Sequence, residues 1–349
     1  MLLAMKLLKF AVLTLILTLL AACQSSPPIV IEPQGFMYDR GFKGFEQVKV
    51  ETEAQVFELN QEAKDFVEES VGYIRDPVDG METLIHKIFN RSEYNLLYQG
   101  SANTTASQTF QNRAANCLSM SIMTYALATE AGFGVRFQDI EIPEYWTRRE
   151  GYSLLNGHVN LQLLPKPELG ITYFQSRGFQ VDFDPQSSKK NFPKKFISKQ
   201  LVLAMFYNNK GADALLKEAY TEAYAYFRAA TMLEPTFDSA WVNLGLLYRL
   251  SGFYQRAEDI YKLALQIEPQ NLTTWENLAF LYEFTNRHDK ASEILVSVER
   301  KRISNPYYHL ILGEQEFESD NYDLALSHYR KALSLDKTKH EIYFGLAKV

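Results

Sequence analysis

Trp241-Val242-Asn243-Leu244-Gly245-Leu246-Leu247-Tyr248, followed by Ala257, Tyr261, Ala264 and Pro269, recurs along the chain at a spacing of 34 residues. One step forward gives Trp275, Leu278, Ala279, Tyr282 and Ala291, and a second gives His309, Leu312, Gly313, Ala325, Tyr329 and Ala332. One step back gives Tyr207, Gly211, Ala223, Phe227, Ala230 and Pro235. A fixed period of this kind marks stacked pairs of helices, each pair burying its apolar face on the next. The small residues let the two helices of a pair lie close together, and the aromatic ones fill the space that remains. Trp241, Trp275 and His309 are therefore expected as packing residues, and His309 is no catalyst. The third unit departs from the pattern, with Ile303 in place of proline and Leu295 in place of the aromatic.

The pattern resembles the tetratricopeptide (TPR) repeat, with units at 204–237, 238–271, 272–305 and 306–339 and a partial one at 340–349. That resemblance implies an all-α solenoid with a concave groove lined by outward positions of the first helix of each unit. Here those are Val242, Leu246, Phe280, Phe284, Tyr307 and Phe317, which could hold an extended or helical segment of a protein partner. The alternative is that these apolar side chains are covered by the preceding domain or by a cap.

Upstream of the repeats, Asn112-Arg113-Ala114-Ala115-Asn116-Cys117-Leu118-Ser119-Met120-Ser121 carries a cysteine at the start of a helical pattern. Leu118, Ile122, Tyr125, Ala126 and Ala128 recur at helical spacing, so Cys117 falls in the first turn. Unpaired N–H groups and the positive end of the helix favour a thiolate there. The bland alternative is a small buried hydrophobe. Thr105-x-x-Gln108 fits a capping box, so a short helix is expected from Ala106 towards the cysteine. After Gly132-Phe133-Gly134, Val135–Gln138 alternates as a strand, and 142–149 reads as a loop with an aromatic and basic tip. His158-Val159-Asn160-Leu161-Gln162-Leu163-Leu164 alternates polar and apolar. His158, Asn160 and Gln162 share one face, so His158 leads a strand and is expected to point away from the core. Further strands are expected at 171–174 and 178–183, the second placing Asp182 and Asp184 on the histidine side. Before the cysteine, residues 51–70 and 81–89 read as two helices split by Asp76-Pro77 and Asp79-Gly80. His86, on the second, is expected as a packed core residue.

A helix-borne cysteine, a strand-leading histidine and a later strand-borne aspartate, in that order, resemble the transglutaminase-like branch of the papain-like cysteine enzymes. The matching pieces are Asn103-x-Thr105-Ala106, Asn116-Cys117-Leu118-Ser119, Gly157-His158-Val159 and Val181-Asp182-Phe183-Asp184-Pro185. Ala115 stands where many relatives have glycine. The likeness spans roughly residues 80–190 within a domain placed at 46–200, and implies an α+β fold of helices plus an antiparallel sheet. It also implies that Cys117 is the nucleophile, His158 its base, and an aspartate the group that orients the imidazole. Both Asp182 and Asp184 fit a form of the motif; Asp182 is preferred because it sits mid-strand, whereas Asp184 abuts Pro185. General chemistry asks for the same set, since a thiol needs a base and the base a third group to fix its tautomer.

The N-terminal residues frame both parts. Lys6 and Lys9 precede an apolar run from Phe10 to Leu20 that is short for a membrane span, so residues 1–22 are expected as an export signal. Leu20-Ala21-Ala22-Cys23 resembles the lipobox of bacterial lipoproteins. The resemblance implies lipidation of Cys23 and, with Gln24 next, an outer-membrane anchor facing the periplasm. Residues 23–45, mixing Pro, Gly and Ser, read as a tether. With Cys23 lipidated, Cys117 has no intramolecular thiol partner in an oxidising compartment. The chain of 349 residues carries a formal charge of −6, and removing the two lysines of 1–22 leaves −8. Such acidity argues against nucleic-acid binding. No phosphate loop, His-Glu-x-x-His or Cys/His cluster at metal spacing is present in the sequence, so no cofactor and no metal site is inferred. Two functions are compatible with these residues. One is a membrane-anchored periplasmic cysteine enzyme that cleaves or transfers an amide acyl group, with the repeats docking substrate or partner. The other is a non-catalytic TPR scaffold for an envelope assembly, in which Cys117 is silent.

Overall fold

A computed structural model describes residues 30–90, 94–142, 144, 146–149, 152–155, 157–165, 178–183 and 192–349. The expected export signal, Cys23, the strand at 171–174 and Asp184-Pro185 lie outside the described residues. Residues Pro33–Val349 form one compact unit. No helix among the described residues is long and apolar enough to cross a membrane.

The cysteine-bearing part begins with three short helices, α1 (Glu53–Phe57), α2 (Gln61–Val71) and α3 (Pro77–Phe89). The single helix expected over 51–70 is broken because Asn60 caps a new start, its side chain accepting from Ala63 N–H at 2.9 Å. Asp76 caps α3 with Pro77 in its first turn, where a missing N–H costs nothing. His86 is exposed on that helix rather than packed in the core. The short strand β1 (Leu97–Tyr98) pairs in parallel with β2 (Ala114–Ala115), bracketing α4 (Ala106–Asn112). Both halves of the Thr105/Gln108 capping box are formed. The central helix α5 (Cys117–Glu130) packs its apolar side chains Leu118, Ile122 and Leu127 into the core.

Against α5 lies an antiparallel sheet in the order β7 (Phe179–Val181), β6 (Val159–Leu164), β3 (Gly134–Ile140), β8 (Lys194–Ile197). Phe137, Leu161 and Val181 stand abreast in its ladders and are buried. The segment expected as a loop is instead a hairpin, β4 (Trp146–Arg149) paired with β5 (Tyr152–Leu155).

From Lys199 the chain is a run of helices: α6 (Lys199–Leu216), α7 (Tyr220–Leu233), α8 (Asp238–Leu250), α9 (Tyr254–Ile267), α10 (Leu272–Phe284), α11 (His288–Arg302), α12 (Pro306–Glu318), α13 (Tyr322–Leu335) and α14 (His340–Lys348). The small and aromatic positions of the repeat meet as pairs. A Cβ added at Gly211, Gly245 or Gly313 would come within 2.6 Å of the ring of Phe227, Tyr261 or Tyr329 respectively. In the third unit, where Leu295 replaces the ring, the small position is Ala279 instead of glycine. The Trp241, Trp275 and His309 positions also share a bond. Each donates a ring N–H to the carbonyl six residues earlier, Trp241 to Pro235 at 2.8 Å, Trp275 to Pro269 at 3.0 Å and His309 to Ile303 at 2.9 Å. Histidine can stand in for tryptophan there because it also carries a ring N–H.

Two features run across the expected boundary at about residue 200. One apolar core continues from Phe57, Phe137 and Leu161 to Val202 at the start of α6 and to Phe206, Tyr207 and Tyr226 of the first repeat. And residues 33–47, of which 33–45 are expected as tether, form three 3-10 turns laid on the repeat helices. Phe42 stacks on Tyr224 with ring centroids 4.4 Å apart. Tyr224 Oη donates to Asp39 Oδ1 at 2.7 Å, and Tyr248 Oη donates to the Phe36 carbonyl at 3.1 Å.

Of the expected groove residues, Phe280 and Phe284 are exposed, at 45% and 63%, while Leu246, Tyr307 and Phe317 are half-buried. Val242 is buried at 5% exposure, so it packs inside the array and does not line an open groove.

Candidate functional site

Asn116 sets the start of the cysteine helix. Its side-chain oxygen accepts from Ser119 N–H at 2.9 Å, leaving Cys117 as the first helical residue. The Asn116 amide donates in turn to Asn103 Oδ1, and the Asn103 amide to Asp213 on α6. Thr104 N–H donates to Ser119 Oγ at 3.0 Å, fixing the loop beside the cysteine. Cys117 is a free thiol, partly accessible.

The sheet brings His158 to that helix end. Ser121 Oγ, one turn into α5, donates to the Val159 carbonyl at 3.1 Å, tying the helix to the strand that His158 leads. The His158 carbonyl accepts from Ile140 N–H at 2.9 Å, extending the β3–β6 ladder past the side chain. His158 is 3% exposed. Its expected direction away from the core is thus corrected to a buried position at the helix start. His158 Nε2 lies 2.8 Å from Asp182 Oδ1, and Asn160 Nδ2 donates to Asp182 Oδ2 at 3.4 Å. Asp182 follows the last residue of β7, so it stands at the strand end and not mid-strand. Asp184 lies outside the described residues.

Burial pushes the His158 pKa down, but hydrogen bonds to Asp182 and to Cys117, with the attraction of both groups, override it and raise the value to about 10. Asp139, on β3, lies near His158; burial first, then Glu141, raises its pKa, and Lys195 and His158 oppose that.

The structure therefore brings together three of the expected residues, Cys117, His158 and Asp182. Phe280, Phe284, Tyr307 and Phe317 belong to the array and take no part in the cluster. Asn160, Asn103 and Asp213 have no role assigned from the sequence. Asn160 alternates with His158 and Asn103 opens a matching piece of the motif, so both carry a local signal, whereas Asp213 is joined only through space.

Comparison with known proteins bears on the array. Residues 248–313 match a tetratricopeptide repeat family model. A tetratricopeptide repeat protein from Parabacteroides merdae is 24% identical, over 42% of this chain and 58% of that one, with a TM-score of 0.27. MamA from Desulfovibrio magneticus RS-1 is 18% identical, over 41% and 81%, with a TM-score of 0.27. PilF of Pseudomonas aeruginosa is 17% identical, over 41% and 66%, with a TM-score of 0.29. No curated protein matches the chain. The C-terminal half carries tetratricopeptide repeats, a class of module that engages protein partners.

Proposed function

We propose that this chain is a cysteine enzyme of the transglutaminase-like class that acts on amide bonds, with the repeat array docking the substrate or a partner protein. The observation that carries the reading is the 2.8 Å contact of His158 with Asp182 beside Cys117, the first residue of α5. In the reaction, His158 takes the Cys117 thiol proton, the thiolate Sγ attacks the amide carbonyl carbon, and the electron pair of the C=O bond moves to oxygen. The backbone N–H of Cys117, among the unpaired donors of the first helical turn, faces that oxygen. As the C–N bond breaks, His158 gives its proton to the departing amine, leaving a thioester. Water or a second amine then attacks the thioester and loses its proton to His158, and the C–S bond breaks. The first acceptor gives hydrolysis and the second transamidation. Asp182 holds the imidazole in one tautomer throughout.

The same proposal places Cys23 as a lipidated N-terminus at the outer membrane. Mass spectrometry of the mature protein decides it: an N-terminus at any residue other than a modified Cys23 removes the anchor from the proposal.

The catalytic reading is tested by alkylation of Cys117 with iodoacetamide at neutral pH. The expected result is a rate above that of a free cysteine peptide, reduced by His158→Ala in line with the roughly 10²–10⁴-fold worth of a general base. A slow rate, indifferent to His158→Ala, leaves the second reading, a protein-binding scaffold. The match of residues 248–313 to a protein-binding repeat is the observation that favours it.

A further inference from the structure

The hairpin β4–β5 joins the site to the far repeats. It leaves the sheet after Ile140 and returns at His158, and these two residues close its base through the Ile140 N–H to His158 carbonyl bond of 2.9 Å. The start of β4, next to that base, is held by the array. Arg302, the last residue of α11, is 2% exposed and grips Glu144 with two parallel bonds, Nε to Oε2 at 2.7 Å and Nη2 to Oε1 at 2.9 Å. The guanidinium also meets Glu276 at 2.9 Å and lies 4.9 Å from the centre of the Trp146 ring. Asn305 donates to the Glu144 carbonyl at 2.8 Å, and β4 lies along α12.

Such a site is more than a surface contact. A forked guanidinium–carboxylate pair fixes direction as well as distance. Because Arg302 is buried, losing one partner leaves charge in a place poor in water. Hydrogen-bonded pairing of β4 with β5 then carries that fixed direction towards Gly157-His158, three residues beyond the end of β5.

We infer that Arg302 and Glu144 are positioning residues for His158, so that the third repeat sets the reactivity of Cys117. The inference rests on the reading of His158 as the partner of Cys117. A site whose histidine lies at the base of a hairpin has its geometry set by whatever holds that base, here Glu144 and Trp146, the latter paired with Leu155, three residues before His158, and small displacements at a reacting centre are costly.

The experiment uses the full chain and measures iodoacetamide alkylation of Cys117 from pH 6 to 11 in wild type, Glu144→Gln, Arg302→Lys and His158→Ala, and in His158→Ala combined with each of the other two. Glu144→Gln keeps the side chain's size and is the safer variant for folding. Arg302→Lys keeps the charge but loses the fork. Both are expected to slow alkylation by about tenfold, inside the range set by loss of the base itself. Both pH profiles should move towards that of His158→Ala, with no further loss when combined with it. A purely structural role for the pair would slow alkylation equally in the His158→Ala background, which overturns the inference. Wild-type rates and profiles in both variants, with His158→Ala still slow, also overturn it and leave the triad standing. Indifference of wild-type Cys117 to His158→Ala removes the triad and the inference together.

Discussion

Asn160 on β6 and His158, the residue just before that strand, take the two oxygens of one carboxylate: Asp182 Oδ2 accepts from Asn160 Nδ2 at 3.4 Å, and Oδ1 lies 2.8 Å from His158 Nε2. The second contact is short and the first is at the long limit for a hydrogen bond. Asp182→Asn is therefore expected to slow Cys117 alkylation severely, by misdirecting the histidine tautomer. Asn160→Ala should cost at most about tenfold, the worth of one hydrogen bond of about 0.5–1.5 kcal/mol. Equal rates for the two variants would show that Asp182 does not orient the ring.

The raised His158 pKa makes a statement about stability. A histidine whose folded pKa lies above its unfolded value of about 6.5 stabilises the fold fully below that value, and the contribution is lost as pH rises through the folded pKa, here about 10. Cys117, Asp182 and Asp139 are the titratable groups around it. Thermal unfolding followed from pH 7 to 11 should show a fall in Tm that His158→Ala makes shallower.

Gly245 faces the Tyr261 ring with no room for a methyl group, the added Cβ falling 2.6 Å from ring carbon. Gly245→Ala should destabilise by about 1–3 kcal/mol, the cost of overpacking. Pairing it with Tyr261→Leu should cost less than the two changes summed, because the third repeat already joins Ala279 to Leu295. Denaturant unfolding of the four proteins reads the coupling, and strict additivity would refute the steric account.

His309 donates to the Ile303 carbonyl at 2.9 Å from a side chain that is 7% exposed. His309→Phe keeps a ring but leaves that carbonyl without its donor, at about 1–3 kcal/mol. His309→Trp restores an N–H of the kind that Trp241 and Trp275 supply, and should be the milder change. Their order in thermal melts is the check.

Phe42 is 4% exposed and stacked on Tyr224. Phe42→Ala should cost about 3–5 kcal/mol, as for other buried aromatics. An unchanged Tm would return residues 33–47 to the status of a tether.

The parts of the fold legible in the sequence were those written in local sterics. Gly245 and Tyr261 record a helix pair's closest approach, so the period survives even where Leu295 replaces the ring. Asn116 before Cys117 and Thr105 with Gln108 record helix starts through side chains that reach only three residues. His158 at the head of an alternating strand was visible for the same reason. What the sequence hid depends on distant partners. Trp146 sits against Arg302, more than 150 residues later, so the hairpin at 146–155 carried no local signal strong enough to separate it from a loop. Phe36, Tyr38 and Phe42 find their rings on α8, on Phe253 just before α9, and on α7, which makes a Pro/Gly-rich stretch look like a tether. Asp182 meets His158 and Asn160 from beyond the end of β7, so its direction follows from those contacts and not from a place within a strand.

The core that runs from Phe137 through Tyr207 to Tyr226 bears on how this architecture can be recombined. A tetratricopeptide array joined to its neighbour by a linker can be exchanged as a cassette, because nothing but the linker is cut. Here a cut at residue 200 would open Val202, Phe206 and Tyr207 to water on one side and Phe57 and Phe137 on the other. A chimaera carrying a foreign array would inherit two half-cores that do not fit. New binding specificity in such a chain is best grafted at the third and later repeats, beyond the shared core, with Arg302 left in place.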